Sequence, residues 1–241
     1  MTPPAAPRAL QAIVFDFDGV IANSEPLHLR AYQAALTDEG VDLTPDEYYS
    51  RYLGYDDVGM LARLSEDRGY DWNERHVAAL VASKGVKLQA LLHEGAVLFP
   101  GAADFIRLSA AKVPIAIASG ALPHEIREIV GAAGLLDLFT SIVGAGDTPE
   151  SKPSPAPYRL AFTQLRARTG LDLDPQRTVA IEDSRWGLAS ARGAGLRCVG
   201  VTSSYPAHEL PGAELVVGSL ADLDIAKLDA LCLTRHAERP R

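Results

Sequence analysis

Short apolar runs that alternate with longer helical patterns constrain the fold of this chain more than any other feature of its sequence. The strand-like runs lie at residues 12–17, 113–118, 141–143, 178–181, 197–201 and 214–217. Helical patterns separate most of them, at 102–111, 123–133 and 157–168. Continuous apolar runs of this length are typical of strands that are buried on both faces. We therefore expect an α/β fold with a Rossmann-like parallel sheet covered by helices.

The segment 23–94 departs from this alternation because it contains helical patterns only. Its amphipathic stretches lie at 26–39, 45–53, 58–68 and 73–92. The block begins directly after the first strand, and the alternation resumes near Phe99. This order predicts an α/β core formed by residues 1–22 and 95–241, with an inserted α-helical cap at 23–94.

The charge balance of the chain limits the partners that it can bind. The 31 acidic and 23 basic residues give a formal net charge of −8, and no cluster of Lys and Arg stands out. Nucleic acids are held mainly by such clusters, so we expect no nucleic-acid partner. No apolar run approaches the roughly 18 residues that a membrane helix needs, and no secretory signal is evident. We expect a cytoplasmic protein without a membrane partner, and we leave its oligomeric state open.

Polar side chains follow four of the predicted strands, where the carboxyl ends of parallel strands meet at one edge of the sheet. These groups are Asp16 with Asp18, Ser119 with Gly120, Lys152, and Glu182 with Asp183. Together they would form an acid-rich pocket with one cation and one hydroxyl. A divalent cation and a phosphate require such a pocket. The sequence therefore predicts a site for Mg²⁺ and a phosphorylated small molecule.

Asp16 and Asp18 flank a single residue, so in strand geometry both carboxylates point to the same side and repel each other. This arrangement favours different roles for the two groups. Asp16 can stay ionised against a cation and attack phosphorus, while Asp18 carries the proton for the leaving oxygen and later takes one from water. Gly19 lets the chain turn away without a side chain that blocks the phosphate. An Asp-rich turn after a strand is the alternative interpretation.

Each of the other groups also has a purely structural alternative. Ser119 and Gly120 can hold phosphate oxygens, but a Ser-Gly pair is also common in turns. Lys152 can neutralise a phosphate, or it can be a solvated loop residue. Asp183 can bind a metal, or it can cap the helix that follows, as can Ser184.

The order of these motifs resembles the haloacid dehalogenase-like hydrolase superfamily. The resemblance rests on Asp-Phe-Asp-Gly-Val at 16–20, Ser-Glu-Pro-Leu-His at 24–28, Ser119, Lys-Pro at 152–153, and Glu-Asp-Ser at 182–184. The most similar pattern is that of the helical-cap branch, which contains phosphoglycolate phosphatases and β-phosphoglucomutases. The resemblance implies that Asp16 forms an aspartyl-phosphate and binds Mg²⁺, and that Asp18 is the acid/base and also a ligand through its carbonyl.

The resemblance assigns roles to the remaining residues as well. It implies that Ser119 binds phosphate, that Lys152 steadies the charge, and that Glu182 and Asp183 complete the metal site. His28 matches a family position on the first cap helix, which predicts a substrate-binding role; a partly exposed helix histidine is the alternative.

A phosphatase is favoured over a phosphomutase by one stretch of the predicted cap. Phosphoglucomutase-like relatives carry basic residues there that hold a second phosphate, whereas the matching stretch 53–57 contains Asp56 and Asp57. We expect these acids to repel a second phosphoryl group, although Arg51 lies close in sequence.

The function predicted from the sequence is Mg²⁺-dependent hydrolysis of a small phosphorylated metabolite, a sugar phosphate or similar, through an aspartyl-phosphate. A β-phosphoglucomutase-like phosphomutase is the main alternative. A dehalogenase would not need Asp18 as the acid for the leaving group. A non-catalytic protein that binds a phosphorylated metabolite is a further alternative, because fold alone does not determine function.

Overall fold

The computed structural model describes residues 9–53, 55–92 and 98–234. The predicted domain boundary at 94–95 lies outside the described residues, as does Gly54 within the acidic stretch. The chain divides into two compact units, which are Met1–Asn23 with Val97–Arg241, and Ser24–Ala96. We call them the core unit and the helical unit. Within the described ranges, no helix is long and apolar enough to cross a membrane.

The core unit contains a six-stranded sheet in which every pair of neighbouring strands is parallel. Its strands are β1 (Ala12–Phe15), β2 (Ile115–Ala118), β3 (Phe139–Val143), β4 (Thr178–Glu182), β5 (Arg197–Val201) and β6 (Leu215–Val217). Their order across the sheet is β3-β2-β1-β4-β5-β6. This topology confirms the predicted α/β fold with a Rossmann-like parallel sheet.

Helices cover both faces of this sheet, which explains why the apolar run of β1 is continuous. The helices of the core unit are α5 (Ala102–Ala110), α6 (Pro123–Ala132), α7 (Ala156–Thr169), α8 (Arg185–Gly193) and α9 (Ile225–Leu233). Val14 lies in one buried cluster with Tyr158 of α7 and Leu188 of α8. Side chains alternate along a strand, so Phe15 points to the opposite face. There its ring meets Phe105 of α5 edge to face, with the ring centroids 6.1 Å apart.

The helical unit contains helices and turns, and its described residues form no strand. Its elements are α1 (Glu25–Thr37), α2 (Pro45–Glu47), a π-helical turn (Tyr48–Tyr52), α3 (Asp57–Arg68) and α4 (Glu74–Leu92). Leu36 and Leu64 are fully buried in its own hydrophobic core. The predicted helical stretch 45–53 is not one regular α-helix, because it is divided between α2 and the π-helical turn. The Leu53 amide donates to the carbonyl of Tyr48, five residues earlier, and Tyr48 and Tyr52 are both buried.

Candidate active site

The sheet order places the predicted strand-end residues beside one another. β1 pairs with β2 on one side and with β4 on the other, so Asp16, Ser119 and Glu182 lie at the ends of three adjacent strands. The Asp16 amide extends the ladder by donating to the carbonyl of Ile181 at 2.9 Å. Lys152 comes from the loop after β3, and its Nζ reaches Oδ1 of Asp16 at 2.7 Å.

A group of three buried carboxylates forms the centre of this site. Asp16, Glu182 and Asp183 each offer one oxygen, and these oxygens all lie within 4.8 Å of one another. Lys152 bridges two of the carboxylates, because its Nζ is also 2.6 Å from Oε1 of Glu182. Among the described residues, the carboxylate of Asp18 is not part of this group. Three of the four predicted metal-binding residues therefore come together through their side chains.

The electrostatics of the three-carboxylate group suit a bound cation. Burial, together with the nearby charge of Glu182, raises the pKa of Asp16 well above its usual range. Burial also raises the pKa of Asp183 to about 6, although a hydrogen bond from Ser204 opposes the shift. Burial alone would lower the pKa of Lys152, but the charges of Asp16 and Glu182 raise it. One lysine thus faces three carboxylates, and a divalent cation would supply the missing positive charge.

The carboxylate of Glu182 is fixed by protein donors on both of its oxygens. Oε1 accepts hydrogen bonds from Lys152 at 2.6 Å and from the Tyr158 hydroxyl at 2.8 Å, and Oε2 accepts from the Ser184 hydroxyl at 3.1 Å. Gly187 leaves room for it, since a Cβ there would collide with this carboxylate. Glu182 therefore orients Lys152 in addition to any contact with a cation.

The structure resolves which residue caps α8. The Ser184 hydroxyl accepts a hydrogen bond from the Gly187 amide at 3.1 Å, so Ser184 is the N-cap. The carboxylate of Asp183 belongs instead to the three-carboxylate group. Of the two alternatives for Asp183, the structure thus favours the one that leaves it available to a metal.

Two serines that the sequence analysis did not identify contact the site from the loop after β5. The Ser204 hydroxyl donates a hydrogen bond to Oδ2 of Asp183, and the Ser203 hydroxyl donates to the carbonyl of Gly19. Gly19 adopts a φ of 77°, and a Cβ there would collide with the carboxylate of Asp183. The sequence signal for these serines is weak: they follow the predicted strand at 197–201. That this strand lies beside β4 is known from the structure.

The remaining predicted residues of the core unit are Asp18, Ser119 and Gly120. Asp18 is half-buried, and its backbone forms an isolated β-bridge with Ala22. Ser119 is buried, and its oxygen accepts from the Ala121 amide at 3.0 Å, so its proton can be donated to another group. Gly120 is exposed, and a Cβ there would meet nothing within 4 Å. The phosphate-binding roles of Ser119 and Gly120 stay predictions.

His28 belongs to the helical unit, where it joins a separate network of polar side chains. The network centres on Lys84, whose side chain is only 2% exposed. Its Nζ lies 2.9 Å from Nδ1 of His28, and 2.9 and 3.0 Å from the two carboxylate oxygens of Asp57. The Tyr32 hydroxyl also donates to Asp57, at 2.6 Å. Because an ammonium group only donates, Nδ1 of His28 accepts, and the ring proton is on Nε2.

This network changes the interpretation of the acidic stretch at 53–57. Burial alone would raise the pKa of Asp57, but the hydrogen bonds from Tyr32 and Lys84 lower it. The carboxylate of Asp56 accepts from the Gly59 amide at 2.7 Å and caps α3. Asp57 is thus ion-paired with Lys84 inside the helical unit, whereas Asp56 is exposed and keeps its negative charge. The expected repulsion of a second phosphate stays a prediction, and it now rests on Asp56.

The half-buried His28 makes stability depend on pH. Burial, with the charge of Lys84, lowers the pKa of His28 to about 4, while Asp57 opposes this shift. Between about pH 6.5 and pH 4 the unfolded chain binds more protons at this histidine, so its contribution to stability decreases as the pH falls. The shift corresponds to at most about 3 kcal/mol.

We expect urea unfolding at several pH values to show a steeper loss of stability for the wild type than for His28→Gln over this window. The difference between the two proteins isolates His28, because the site carboxylates titrate in both. Parallel pH profiles would show that His28 is not protected from protonation.

Comparisons with known proteins show the family of this chain. The model of the haloacid dehalogenase-like hydrolase family matches residues 10–195. Protein CbbY of Cereibacter sphaeroides is 35% identical over 230 residues, which covers 91% of this chain and 97% of that protein. A phosphoglycolate phosphatase of Yersinia pseudotuberculosis is 26% identical over 199 residues, which covers 82% and 83% of the two chains.

A solved structure shows the same similarity. It is that of a CbbY mutant from Rhodobacter sphaeroides in complex with xylulose-(1,5)bisphosphate. It matches with a TM-score of 0.74 and 33% identity, over 89% of this chain and 96% of that one. The family predicted from the motifs is confirmed, as is the prediction of an enzyme of the phosphatase type. The chain belongs to the haloacid dehalogenase-like hydrolase family, among its phosphatases.

Proposed function

We propose that the protein is a Mg²⁺-dependent phosphatase that hydrolyses a small phosphorylated metabolite through an aspartyl-phosphate on Asp16. A sugar phosphate or a similar compound is the substrate that we favour. The observation that carries this proposal is the buried group of Asp16, Glu182 and Asp183 with Lys152 bridging two of its members. A carboxylate crowded by other acids and held by one lysine suits attack on a phosphate once further positive charge is present.

The residues present fit a divalent cation. Asp16 and Asp183 would hold it through carboxylate oxygens, with Glu182 and the carbonyl of Asp18 as further ligands, since Mg²⁺ prefers oxygen donors. When bound, the cation would offset the negative charges of the carboxylates and the substrate phosphate. The raised pKa values of Asp16 and Asp183 are consistent with this assignment, because burial and the charge of Glu182 disfavour their ionised forms and a bound cation would favour them.

The side chains of the core unit account for both halves of the reaction. Ser119 and the amide of Gly120 would hold phosphate oxygens while the Asp16 carboxylate attacks phosphorus. The bond from phosphorus to the leaving oxygen breaks, and Asp18 gives that oxygen a proton. In the second half, Asp18 takes a proton from the water that attacks the aspartyl-phosphate. This step releases inorganic phosphate and restores the Asp16 carboxylate.

We also propose that His28 binds the substrate, as a neutral hydrogen-bond donor. A neutral ring with its proton on Nε2 offers one hydrogen-bond donor and no positive charge. Such a donor suits a hydroxyl or carbonyl oxygen of a metabolite better than it suits a phosphate.

A phosphomutase remains the alternative, and the relative in complex with a bisphosphate keeps bisphosphates among the candidate substrates. A panel of mono- and bisphosphorylated metabolites, assayed with and without Mg²⁺, tests the proposal. A phosphatase releases inorganic phosphate, whereas a mutase gives an isomeric sugar phosphate. Binding without turnover of any compound, under conditions where Mg²⁺ binds, would support the non-catalytic alternative.

Asp18→Asn is expected to separate substrates by their leaving group. An alkyl phosphate needs a proton on its leaving oxygen, so we expect its kcat to fall by about 10²- to 10⁴-fold. An activated aryl phosphate needs little protonation, and its first step should be slowed far less. Single-turnover rates on both substrates, at saturating Mg²⁺, measure this difference. Equal losses on the two substrates would contradict a general-acid role for Asp18.

A further inference from the structure

The loop after β5 is anchored at both ends beside the three-carboxylate group. At its start, the Thr202 amide donates to the carbonyl of Val217 in β6 at 3.0 Å. Further along, the ring of Tyr205 packs edge to face against Trp186 in the first turn of α8, with centroids 6.1 Å apart. Ser203 and Ser204 lie between these two anchors, so their positions are determined by the sheet and by α8.

Each of the two serines contacts a different part of the site. Ser204 donates to Oδ2 of Asp183, and Ser203 donates to the carbonyl of Gly19. Asp183 is only 6% exposed, and the missing side chain of Gly19 makes room for its carboxylate. A Cβ on Gly19 would also lie 2.9 Å from the Ser204 hydroxyl. The carboxylate is therefore enclosed by the Gly19 turn and the Ser204 hydroxyl, which together limit its rotation.

We propose that Ser204 is a positioning residue that orients the Asp183 carboxylate for the divalent cation. This inference rests on the proposed function, in which Asp183 binds that cation. A ligand carboxylate that is oriented before binding loses less freedom when the cation arrives. Hydrogen-bond partners of metal ligands typically change metal affinity by about 10- to 100-fold when they are removed. Ser203 lies in the same loop as Ser204 but donates to the backbone carbonyl of Gly19, not to a carboxylate, and so provides a matched comparison.

The test is Mg²⁺ binding to the full chain, measured by titration calorimetry with the metal alone. We expect Ser204→Ala to raise the Kd for Mg²⁺ by about 10- to 100-fold, and Ser204→Thr, which keeps the hydroxyl, to restore much of the affinity. Ser203→Ala should change the Kd much less. In assays, Ser204→Ala should raise the Mg²⁺ concentration needed for half-maximal rate while kcat at saturating Mg²⁺ stays within a few-fold of wild type.

Asp183→Asn separates this inference from the proposed function. If Asp183→Asn weakens Mg²⁺ binding strongly but Ser204→Ala binds Mg²⁺ like the wild type, the positioning role of Ser204 is wrong and the metal site stands. If Asp183→Asn also binds like the wild type, both the metal site and the role of Ser204 are overturned. Should Ser204→Ala fail to fold, Ser204→Cys provides a near-isosteric side chain with a weak donor, for which we expect the same loss of Mg²⁺ affinity.

Discussion

Asp16→Asn should lower kcat for any substrate of this enzyme by at least about 10³-fold, because the loss of a nucleophile has effects of this size or larger. An amide is a poor nucleophile and a weaker ligand for a cation, yet it has almost the same shape as the carboxylate. Released phosphate, measured at saturating Mg²⁺, tests this prediction. Asp172→Asn is the matched control, since the side chain of Asp172 is 98% exposed and pairs with a surface arginine, Arg166.

The same substitution should leave the metal-free protein at least as stable as the wild type. Burial and the charge of Glu182 already disfavour the ionised form of Asp16, so a neutral amide removes an unfavourable charge. Lys152 keeps its contact with Glu182 at 2.6 Å. Thermal unfolding in the presence of a chelator measures this effect. Wild-type activity in Asp16→Asn would disprove the nucleophile assignment, and a large loss of stability would show that the substitution disturbs the fold.

Lys84→Met should destabilise the protein by about 3 kcal/mol, because removal of one partner from a buried ion pair leaves the other without compensation. Methionine can fill the volume of the lysine stem, so the main cost is the unpaired carboxylate of Asp57. That side chain is 35% exposed, so water offsets part of the loss. Urea unfolding at neutral pH gives the change. Lys87→Met, on the same helix at a half-buried position, should change stability by no more than about 0.5 kcal/mol.

A double substitution identifies the source of the loss. Adding Asp57→Asn to Lys84→Met removes the uncompensated charge, so we expect the double variant to be more stable than Lys84→Met alone. Additive losses from the two substitutions would show that the pair is not coupled, despite the distances of 2.9 and 3.0 Å between Lys84 and Asp57.

Local patterns in the sequence were enough to predict most of the fold. The apolar run before Asp16 and the helical pattern before Gly170 are properties of neighbouring residues, and burial on both faces follows from them. Helix α9 (Ile225–Leu233) was not predicted, although its N-cap Asp224, which accepts from the Lys227 amide at 2.7 Å, is a recognisable signal. The π-helical turn at Tyr48–Tyr52 depends on the packing of its buried tyrosines, and no residue pattern in the sequence indicates it.

The candidate site was largely predictable for a topological reason. Carboxyl ends of parallel strands meet at one edge, so Asp16, Ser119 and Glu182 could be placed at that edge once the strands were recognised. The strand order β2-β1-β4, which makes them neighbours, came from the structure. Motif order then added Lys152, although only the structure shows that it bridges Asp16 and Glu182.

The sequence by itself therefore determined the sheet, the family and the residues that line the edge of the sheet, because each depends on local pattern or on motif order. Only the tertiary structure decided which partners hold those residues. Ser204 lies 21 residues from Asp183, and Lys84 lies 27 residues from Asp57. Such pairs form when separate loops and helices pack against each other, and hydrogen bonds between them leave no periodic trace in the sequence. For this reason the ion pair between Asp57 and Lys84 was seen only in the folded structure. The position of Asp16, in contrast, could be predicted from the sequence.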